Sequence, residues 1–335
     1  MQAPSLRRPG TTAGPAGVRS EDSKPVSEPI VTDFHGQPSA QIGRGGPITA
    51  RRIPLRVTVL PFALLGPNLV WLLAFMFVPM ALLFVISLKG YAAGRGIIDV
   101  WQLTNYTQFV SDPFYRQVLF NTLWLGIEVT VVCLVLGFPV ALALSRARGW
   151  KRSVLYFGIL MPLLTSAVVR TFGWMILLAN NGFINRTLIA AGLTDSPIRL
   201  MYNQLGVVTA LAEVLLPFMV LALDAALLNI DGALYEAAEN LGAHRLRIFL
   251  QVTLPLAMPG VVSGSLLVFT LAISSFVTPT LIGGARLNLM STMIYQQAMA
   301  LLNWPFGAAI AFIMLFTIMG LLLGTLRLVE RRRGA

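Results

Sequence analysis

A long apolar run without a charged residue, from Val57 to Leu88, constrains the fold of this chain more than any other feature. A helix needs about 20 apolar residues to cross the hydrocarbon layer of a bilayer, and this run is longer. Inside lipid the backbone must satisfy its own hydrogen bonds, which a helix does within a single segment. The run therefore predicts a membrane-spanning helix, and it is too long for a cleaved signal peptide.

Five further apolar runs follow the same pattern. They extend from about Val118 to Leu144, Val154 to Leu178, Leu205 to Leu228, Pro259 to Gly283 and Ala308 to Leu326. Hydrophobic residues make up 56% of the chain and charged residues 12%, and the mean hydropathy is +0.74. These values lie outside the range of soluble globular domains. The sequence thus predicts an all-α integral membrane protein with six transmembrane helices.

The segments outside these runs set the domain boundaries and the topology. Residues 1–50 are rich in Gly, Pro and Ser without apolar periodicity, which predicts a disordered tail. Residues 57–328 form the predicted membrane domain, and residues 329–335 a basic tail. Basic residues cluster on one side of the bundle, at Arg51, Arg52 and Arg56, at Arg146, Arg148, Lys151 and Arg152, at Arg245 and Arg247, and at Arg327, Arg331, Arg332 and Arg333. The positive-inside rule therefore places both termini and the loop of residues 229–258 in the cytoplasm.

Several function classes are excluded by what the chain lacks. Its two histidines, His35 and His244, cannot build a metal cluster or a Ser-His arrangement in the membrane, so neither a metal site nor an enzyme active site is expected. None of the three lysines begins the Lys-Ser or Lys-Thr pair of a phosphate-binding loop, and the single Cys133 excludes an intrachain disulfide. The net charge of the chain is +11, and the basic residues that produce it stand in short segments beside the apolar runs. This placement is typical of a topology signal, so no nucleic-acid partner is expected.

The stretch from Glu236 to Gly260 is the one long polar interruption that has the pattern of a docking element. Leu234, Ala237, Ala238 and Leu241 form one apolar helical face, which Asp231 is placed to cap. Gly242 is predicted to end this helix. A second apolar face follows at Leu246, Phe249 and Leu250, and Pro255 and Pro259 are predicted to end the segment. The expected structure is helix, bend, helix, and the alternative is an amphipathic loop on the lipid surface.

The spacing inside this stretch resembles a family signature. Glu236-Ala237-Ala238, three residues, Gly242, nine residues and Val252-Thr253-Leu254-Pro255 is similar to the motif of the integral membrane subunits of binding-protein-dependent ATP-binding cassette importers, with Val252 where the family usually has Ile. The resemblance implies that the loop docks into a cytoplasmic ATPase dimer, which binds ATP and Mg²⁺, so that no cofactor is expected in this chain. The implied coupling residues are Glu236, Ala237, Ala238, Gly242, Ala243, Phe249, Leu254 and Pro255.

Other segments resemble one branch of this family, the spermidine/putrescine-type permeases of the B-subunit kind. They are Asn105-Tyr106, Asn121 to Leu123, Gly137 to Ala141, Arg170 to Trp174, Leu216 to Met219 and Phe276 to Pro279. The resemblance covers about residues 60–325. It implies a type I importer core in a bacterial inner membrane, a second permease subunit, and a small cationic, polyamine-like solute delivered by a periplasmic binding protein. Related branches that carry sugars, opines, iron or inorganic anions share this framework.

Charged and aromatic residues inside the spans are the candidates for a solute pathway, since a charge in a span is costly unless it faces a cavity or a partner. These candidates are Glu213, Arg170, Glu128 and Trp174. Alternatively, Glu213 pairs with Arg170, and Glu128 meets the partner permease. Asp224 is expected to be solvated at the interface. Trp174, Tyr202 and Trp304 are candidates for stacking on a solute, or belong to the aromatic belt.

Two function classes compete with a permease subunit. An ion-coupled secondary carrier acting alone predicts discontinuous helices and inverted repeats, and no clear internal repeat is visible. A channel or an assembly scaffold leaves the Glu236 to Gly260 stretch unexplained.

Overall fold

The structure is a computed structural model that describes residues 55–333, so the predicted disordered tail at residues 1–50 lies outside the described residues. The chain divides into two compact units, residues 1–62 and residues 63–335. The first contributes the opening turns of one helix to the description, and the second contains every other element.

Twelve α-helices and two β-strands follow one another in the described residues. The helices are α1 Leu55–Ser87, α2 Thr104–Ser111, α3 Pro113–Arg146, α4 Trp150–Leu160, α5 Ala167–Leu178, α6 Phe183–Ala190, α7 Gln204–Leu228, α8 Gly232–Asn240, α9 Arg245–Ile248, α10 Leu254–Ser274, α11 Met290–Tyr295 and α12 Trp304–Arg333. The strands are β1 Lys89–Ala92 and β2 Gly96–Trp101. Helix α12 continues to Arg333. It therefore includes most of residues 329–335, the predicted basic tail.

Six helical segments of the described residues are long and apolar enough to cross a membrane, as predicted. They are Gly66–Ser87, Pro113–Arg146, Ala167–Ala190, Gln204–Leu228, Arg245–Ser274 and Trp304–Thr325. The third ends at Ala190 and the fifth at Ser274, not at the predicted Leu178 and Gly283. Both also start at other residues than predicted, and for the starts the physical reason lies in the prolines.

The third span is not one helix. Pro162 has no N–H to donate to the carbonyl of Gly158, and the chain responds with a 3₁₀ turn at Met161–Leu164 and extended backbone at Thr165 before α5 begins. The continuous helix predicted from Val154 to Leu178 is therefore wrong. We call residues 161–166 the α4–α5 break.

The fifth span begins earlier than predicted, because Pro255 and Pro259 do not end the segment. A π turn at Phe249–Thr253 joins α9 to α10, and the N–H of Leu254 donates to the carbonyl of Phe249. The extra residue of a π turn moves a carbonyl away from the ring of a following proline. Residues Arg245–Ser274 consequently form one continuous helical segment.

The core is formed by α3, α7 and α10. Helices α3 and α7 run in the same direction, since the Cys133 thiol donates to the Ala212 carbonyl and Gly137 packs on Met219 further along both helices. Helix α10 runs in the opposite direction and approaches α7 through Gly260 and Gly264, a spacing that lets two helix backbones come close in lipid. This close packing fixes α7, the helix that carries Glu213 and Asp224.

A β-hairpin between the first two spans was not predicted. Strands β1 and β2 pair antiparallel, and the turn between them uses Gly94 and Gly96 at positive φ, +84° and +76°. Lys89 pairs with Asp99, and its ammonium group lies 4.1 Å from the centre of the Trp101 ring. The other regular elements of residues 55–333 are helical, so the predicted class holds with this one addition.

Candidate functional site

The 229–258 segment has the predicted helix, bend, helix structure. The Asp231 carboxylate accepts a hydrogen bond from the N–H of Ala233 at 3.0 Å, so Asp231 caps α8 as the sequence indicates. His244 caps α9 in the same way, since its Nδ1 accepts from the N–H of Arg247 at 3.3 Å. These caps fix the starts of α8 and α9 through local hydrogen bonds.

Gly242 forms the bend. Its φ is +74°, and the N–H groups of Gly242 and Ala243 donate to the carbonyls of Glu239 and Ala238 at 2.9 and 3.1 Å. This is a left-handed helix end, a conformation that residues with a Cβ adopt at a cost. A side chain at position 242 would meet nothing within 4 Å, so the constraint is the backbone conformation alone.

Gly242→Val is expected to change the angle between α8 and α9, because a β-branched residue at positive φ is a strong outlier. We expect ATP hydrolysis to become uncoupled from uptake in the assembled transporter, while the core stays folded. Gly232→Ala is the matched control: Gly232 lies in α8, its φ is not positive, and a Cβ there also meets nothing within 4 Å. The measurement is solute taken up per ATP hydrolysed, and an unchanged ratio in Gly242→Val would contradict the expectation.

The most exposed large apolar residues of the segment are three leucines. Leu241 is 88% exposed, Leu246 61% and Leu250 52%, and we call these three the leucine ridge. Phe249, predicted as an anchor for the ATPase, is half-buried and packs edge-on against Phe138 of α3, with ring centres 5.2 Å apart. The ring lines an apolar cavity of about 350 Å³ between α3 and α10. Phe249 thus joins the segment to the bundle, because the π turn directs it inward.

The other predicted coupling residues lie on or near the surface of this segment. Glu236, Ala237, Gly242 and Pro255 are exposed, and Ala238, Ala243 and Leu254 are half-buried.

The four predicted pathway residues make three separate sets of contacts, and the pairing of Arg170 with Glu213 is absent. The indole N–H of Trp174 donates to Glu213 Oε2 at 3.4 Å, which joins α5 to the middle of α7. Arg170 does not pair with Glu213: its Nη1 donates to the carbonyl of Pro162 at 2.8 Å, and its buried Nε has no partner among the described residues. The α4–α5 break explains this, since it frees a carbonyl that attracts the guanidinium.

Glu128 has a partner within the chain. Gln204 Nε2 donates to Glu128 Oε2 at 2.6 Å, which joins the middle of α3 to the start of α7. No local pattern indicates this pair, because the two residues are 76 positions apart.

Asp224 is buried, so the prediction of a solvated carboxylate is wrong. It is 1% exposed, and its Oδ2 accepts from Arg152 Nη2 at 3.1 Å and from the hydroxyl of Tyr156. Arg152 and Tyr156 lie one turn apart in α4, and they bring this short helix against the end of α7. The second carboxylate oxygen, Oδ1, is buried without a partner among residues 55–333. The basic cluster between Arg146 and Arg152 was interpreted only as a topology signal, although Arg152 is this ion-pair partner.

The remaining aromatic candidates lie apart from Glu213 in the structure. Tyr202 has a φ of +57° and its ring lies against Gly284, beside a cavity of about 510 Å³ that Arg199 and Arg286 also line. Trp304 is 40% exposed at the start of α12. Neither residue contacts Trp174.

Comparison with known proteins gives the family. Residues 198–334 match the family described as "Binding-protein-dependent transport system inner membrane component". The chain is 37% identical over 253 residues to the spermidine/putrescine transport system permease protein PotB of Escherichia coli (strain K12), covering 76% of this chain and 91% of that protein. It is 34% identical over 241 residues to PotB of Haemophilus influenzae, covering 72% and 84%.

The fold is shared with a solved importer. A chain of a bacterial ABC transporter involved in the import of the acidic polysaccharide alginate superposes with a TM-score of 0.66 at 18% identity, covering 83% of this chain and 97% of that one. At this identity the likeness concerns the fold alone. Together with the relatives above, it shows that this chain belongs to the binding-protein-dependent inner membrane components, the permease subunits of ATP-binding cassette importers, which transport solutes and are not enzymes.

Proposed function

We propose that this permease subunit translocates a small cationic solute of the polyamine class. The observation that carries the proposal is the environment of Glu213, a half-buried carboxylate at mid-depth in α7 whose negative charge is not paired with a basic residue within the described part of the chain. The identity with two spermidine/putrescine permeases supports the same solute class.

A carboxylate beside an indole ring suits an alkylammonium ion. The carboxylate attracts the charge and accepts N–H hydrogen bonds, and the face of a tryptophan ring attracts a nearby cation. Trp174 donates its own N–H to Glu213 and so holds the ring and the carboxylate together. An anionic solute would be repelled by the carboxylate, and a neutral solute would lack the charge attraction that a cation gains from both groups.

Docking of the ATPase is assigned to the leucine ridge and α8. The family motif lies here, and the leucines form an apolar surface that no described element covers. The basic residues within the 229–258 segment, Arg245 and Arg247, together with those beside the termini, support a cytoplasmic position for the segment and for both termini. ATP and Mg²⁺ are then bound by the ATPase dimer, and a second permease subunit and a periplasmic binding protein complete the transporter.

The mechanism follows from alternating access. ATP-driven closure of the ATPase pair moves the two docking segments together, which shifts the permease pair from an inward-facing to an outward-facing state. The binding protein delivers the solute to the outward-facing state, and ATP hydrolysis resets the cycle. This chain supplies part of the solute pathway and the docking contact with the ATPase. Through that contact, ATPase closure shifts the equilibrium between the inward-facing and outward-facing states.

The test is uptake by proteoliposomes that contain the complete transporter. We expect spermidine uptake that requires both the binding protein outside and ATP inside. Uptake driven by an ion gradient without ATP would identify a secondary carrier instead. ATP-dependent uptake of a sugar or an oxyanion, with none of spermidine or putrescine, would overturn the cationic solute.

Glu213→Gln is expected to lower spermidine uptake severalfold while leaving stability unchanged. Glutamine keeps an oxygen acceptor for the Trp174 N–H but removes the charge that attracts the ammonium group. Since Arg170 does not depend on Glu213, no unpaired guanidinium results. Uptake and the melting temperature are measured on one preparation. Wild-type uptake, or a loss of stability that accounts for the lower uptake, would argue against solute contact.

A further inference from the structure

An arginine-lined cavity lies at the end of α7 that is opposite to the 229–258 segment. Its volume is about 510 Å³, and it is lined by Ala179, Asn180, Arg199, Met201, Tyr202 and Arg286. Helix α7 begins two residues after Tyr202 and ends directly before the 229–258 segment. Its 25 residues measure about 37 Å, which is enough to cross the hydrocarbon layer. The cavity and the 229–258 segment therefore lie on opposite sides of the membrane.

Two separate segments of the chain build this cavity, and backbone contacts join them. The N–H of Tyr202 donates to the carbonyl of Ile282 at 2.8 Å. Tyr202 and Gly284 both have a φ of +57°, and the tyrosine ring lies against Gly284. A positive φ is uncommon for a residue with a side chain and persists where the surrounding structure holds it. The backbone that carries Arg199 is thereby tied to the backbone that carries Arg286.

The positive charges of the cavity are not balanced within the described part of the chain. Arg199 and Arg286 are exposed, and neither forms an ion pair with a residue of that part. Segments 179–203 and 275–303 contain these two arginines, Arg186 and a single carboxylate, Asp195. The positive-inside rule accounts for basic residues on the side of the 229–258 segment, but it does not account for arginines on the opposite side. An anionic group of a binding partner would balance them.

We propose that this cavity receives a carboxylate side chain of the periplasmic binding protein, held by Arg199 and Arg286 beside the ring of Tyr202. The proposal rests on the proposed function for the presence of that partner on this side of the membrane. Guanidinium groups bind carboxylates through paired hydrogen bonds, and arginine and tyrosine are enriched among the residues that carry the binding energy of an interface. Two guanidinium groups repel a cationic solute, so the cavity is not a second solute site.

The affinity of the binding protein for the complete transporter tests the proposal. The transporter is held outward-facing by ATP and vanadate in phosphatidylcholine nanodiscs, and the Kd is measured with and without spermidine. We expect Arg199→Gln and Arg286→Gln each to raise the Kd about tenfold. The double variant Arg199→Glu/Arg286→Glu should raise it about a hundredfold or more, because the glutamates repel the incoming carboxylate. Both arginines are exposed, so the variants should fold, and the melting temperature checks this.

Arg186→Gln is the matched control. Arg186 is an exposed arginine of α6 in the same segment, and it does not line the cavity. We expect its Kd to stay within about twofold of the wild type, because salt screens a separate exposed charge. An equal loss of affinity in Arg186→Gln and in the cavity variants would indicate general attraction by a basic surface and would overturn the carboxylate site. Unchanged affinity in the double glutamate variant would overturn it as well.

Uptake assays separate this proposal from the proposed function. If the cavity variants bind as the wild type does and uptake still requires the binding protein, the carboxylate site is wrong and the function stands. If wild-type uptake requires no binding protein, both are wrong. If the binding protein does not bind spermidine, the solute class alone is wrong, and the Kd values without solute still decide whether the arginines receive the partner.

A lipid headgroup is a second possible anion for this cavity, and the nanodisc composition distinguishes it. We expect the loss of affinity in the arginine variants to persist in phosphatidylcholine, which carries no net charge. A loss that appears only in nanodiscs with anionic phosphatidylglycerol would assign the arginines to lipid and would overturn the contact with the binding protein.

Discussion

Arg152→Met is expected to destabilise the bundle more than Asp224→Asn does. Removal of the arginine leaves the Asp224 carboxylate, which is 1% exposed, without its ion-pair partner, and an unpaired buried charge costs about 3–5 kcal/mol. Removal of the carboxylate instead leaves Arg152, whose side chain is 30% exposed and can turn toward water. The larger loss of stability is therefore expected for Arg152→Met, the variant that leaves the less exposed partner, Asp224, without its counter-charge.

The double variant Arg152→Met/Asp224→Leu provides the control. Replacing a whole buried ion pair by apolar residues of similar size is often neutral, so we expect much of the stability to return. Tyr156→Phe, which removes one hydroxyl donor, should lie between the wild type and Arg152→Met. The measurement is the midpoint of unfolding in a detergent titration. An Arg152→Met midpoint equal to that of the wild type would show that the pair does not stabilise the fold.

Gly260→Val is expected to separate α10 from α7. An ideal Cβ at this position would lie 2.5 Å from the Ala226 Cβ and 2.9 Å from the carbonyl oxygen of Ala222, and backbone cannot move aside as a side chain can. Overpacking in a close-packed core costs about 1–3 kcal/mol and occasionally more, and valine adds two methyl groups to the contact that alanine would already make. We therefore expect a loss near or above the upper end of this range.

Gly320→Ala is the matched control for this substitution. Gly320 lies within α12, and a Cβ there would meet nothing within 4 Å, so alanine should be neutral or slightly stabilising through its helix propensity. Gly260→Ala should fall between the two. If the unfolding midpoints of Gly260→Val and Gly320→Ala agree, α10 does not pack on α7 as closely as the structure describes.

The sequence predicts what depends on local pattern. Apolar runs give the six spans, and the position of Gly242 after an apolar helical face gives the bend, which the structure confirms at φ +74°. Asp231 is predicted as a cap for the same reason, since its partner is two residues away. These features need no knowledge of how distant segments pack.

Features that depend on distant residues were missed or misplaced. Asp224 was expected in solvent because its partners, Arg152 and Tyr156, lie about 70 positions earlier. Phe249 was placed on one face with Leu246 and Leu250 as an ATPase contact, and its additional contact with Phe138 was missed because the periodicity of an α-helix does not include the π turn. Pro162 was the available signal for the break in the third span, but a proline inside an apolar run also occurs in kinked continuous helices.

The continuous helical segment Arg245–Ser274 extends from the docking loop into the bundle, so it can tilt as one rigid body. At 1.5 Å per residue its 30 residues measure about 45 Å. Its closest approach to α7, at Gly260, lies near the middle, so this contact can serve as a fulcrum with arms of similar length. A tilt of about 5° at the ATPase end would then displace the opposite end by about 2 Å, given the rise per residue. Just past that end, the hydroxyl of Thr278 lies 3.1 Å from that of Thr171 in α5, so the tilt would reach the helix that follows the α4–α5 break.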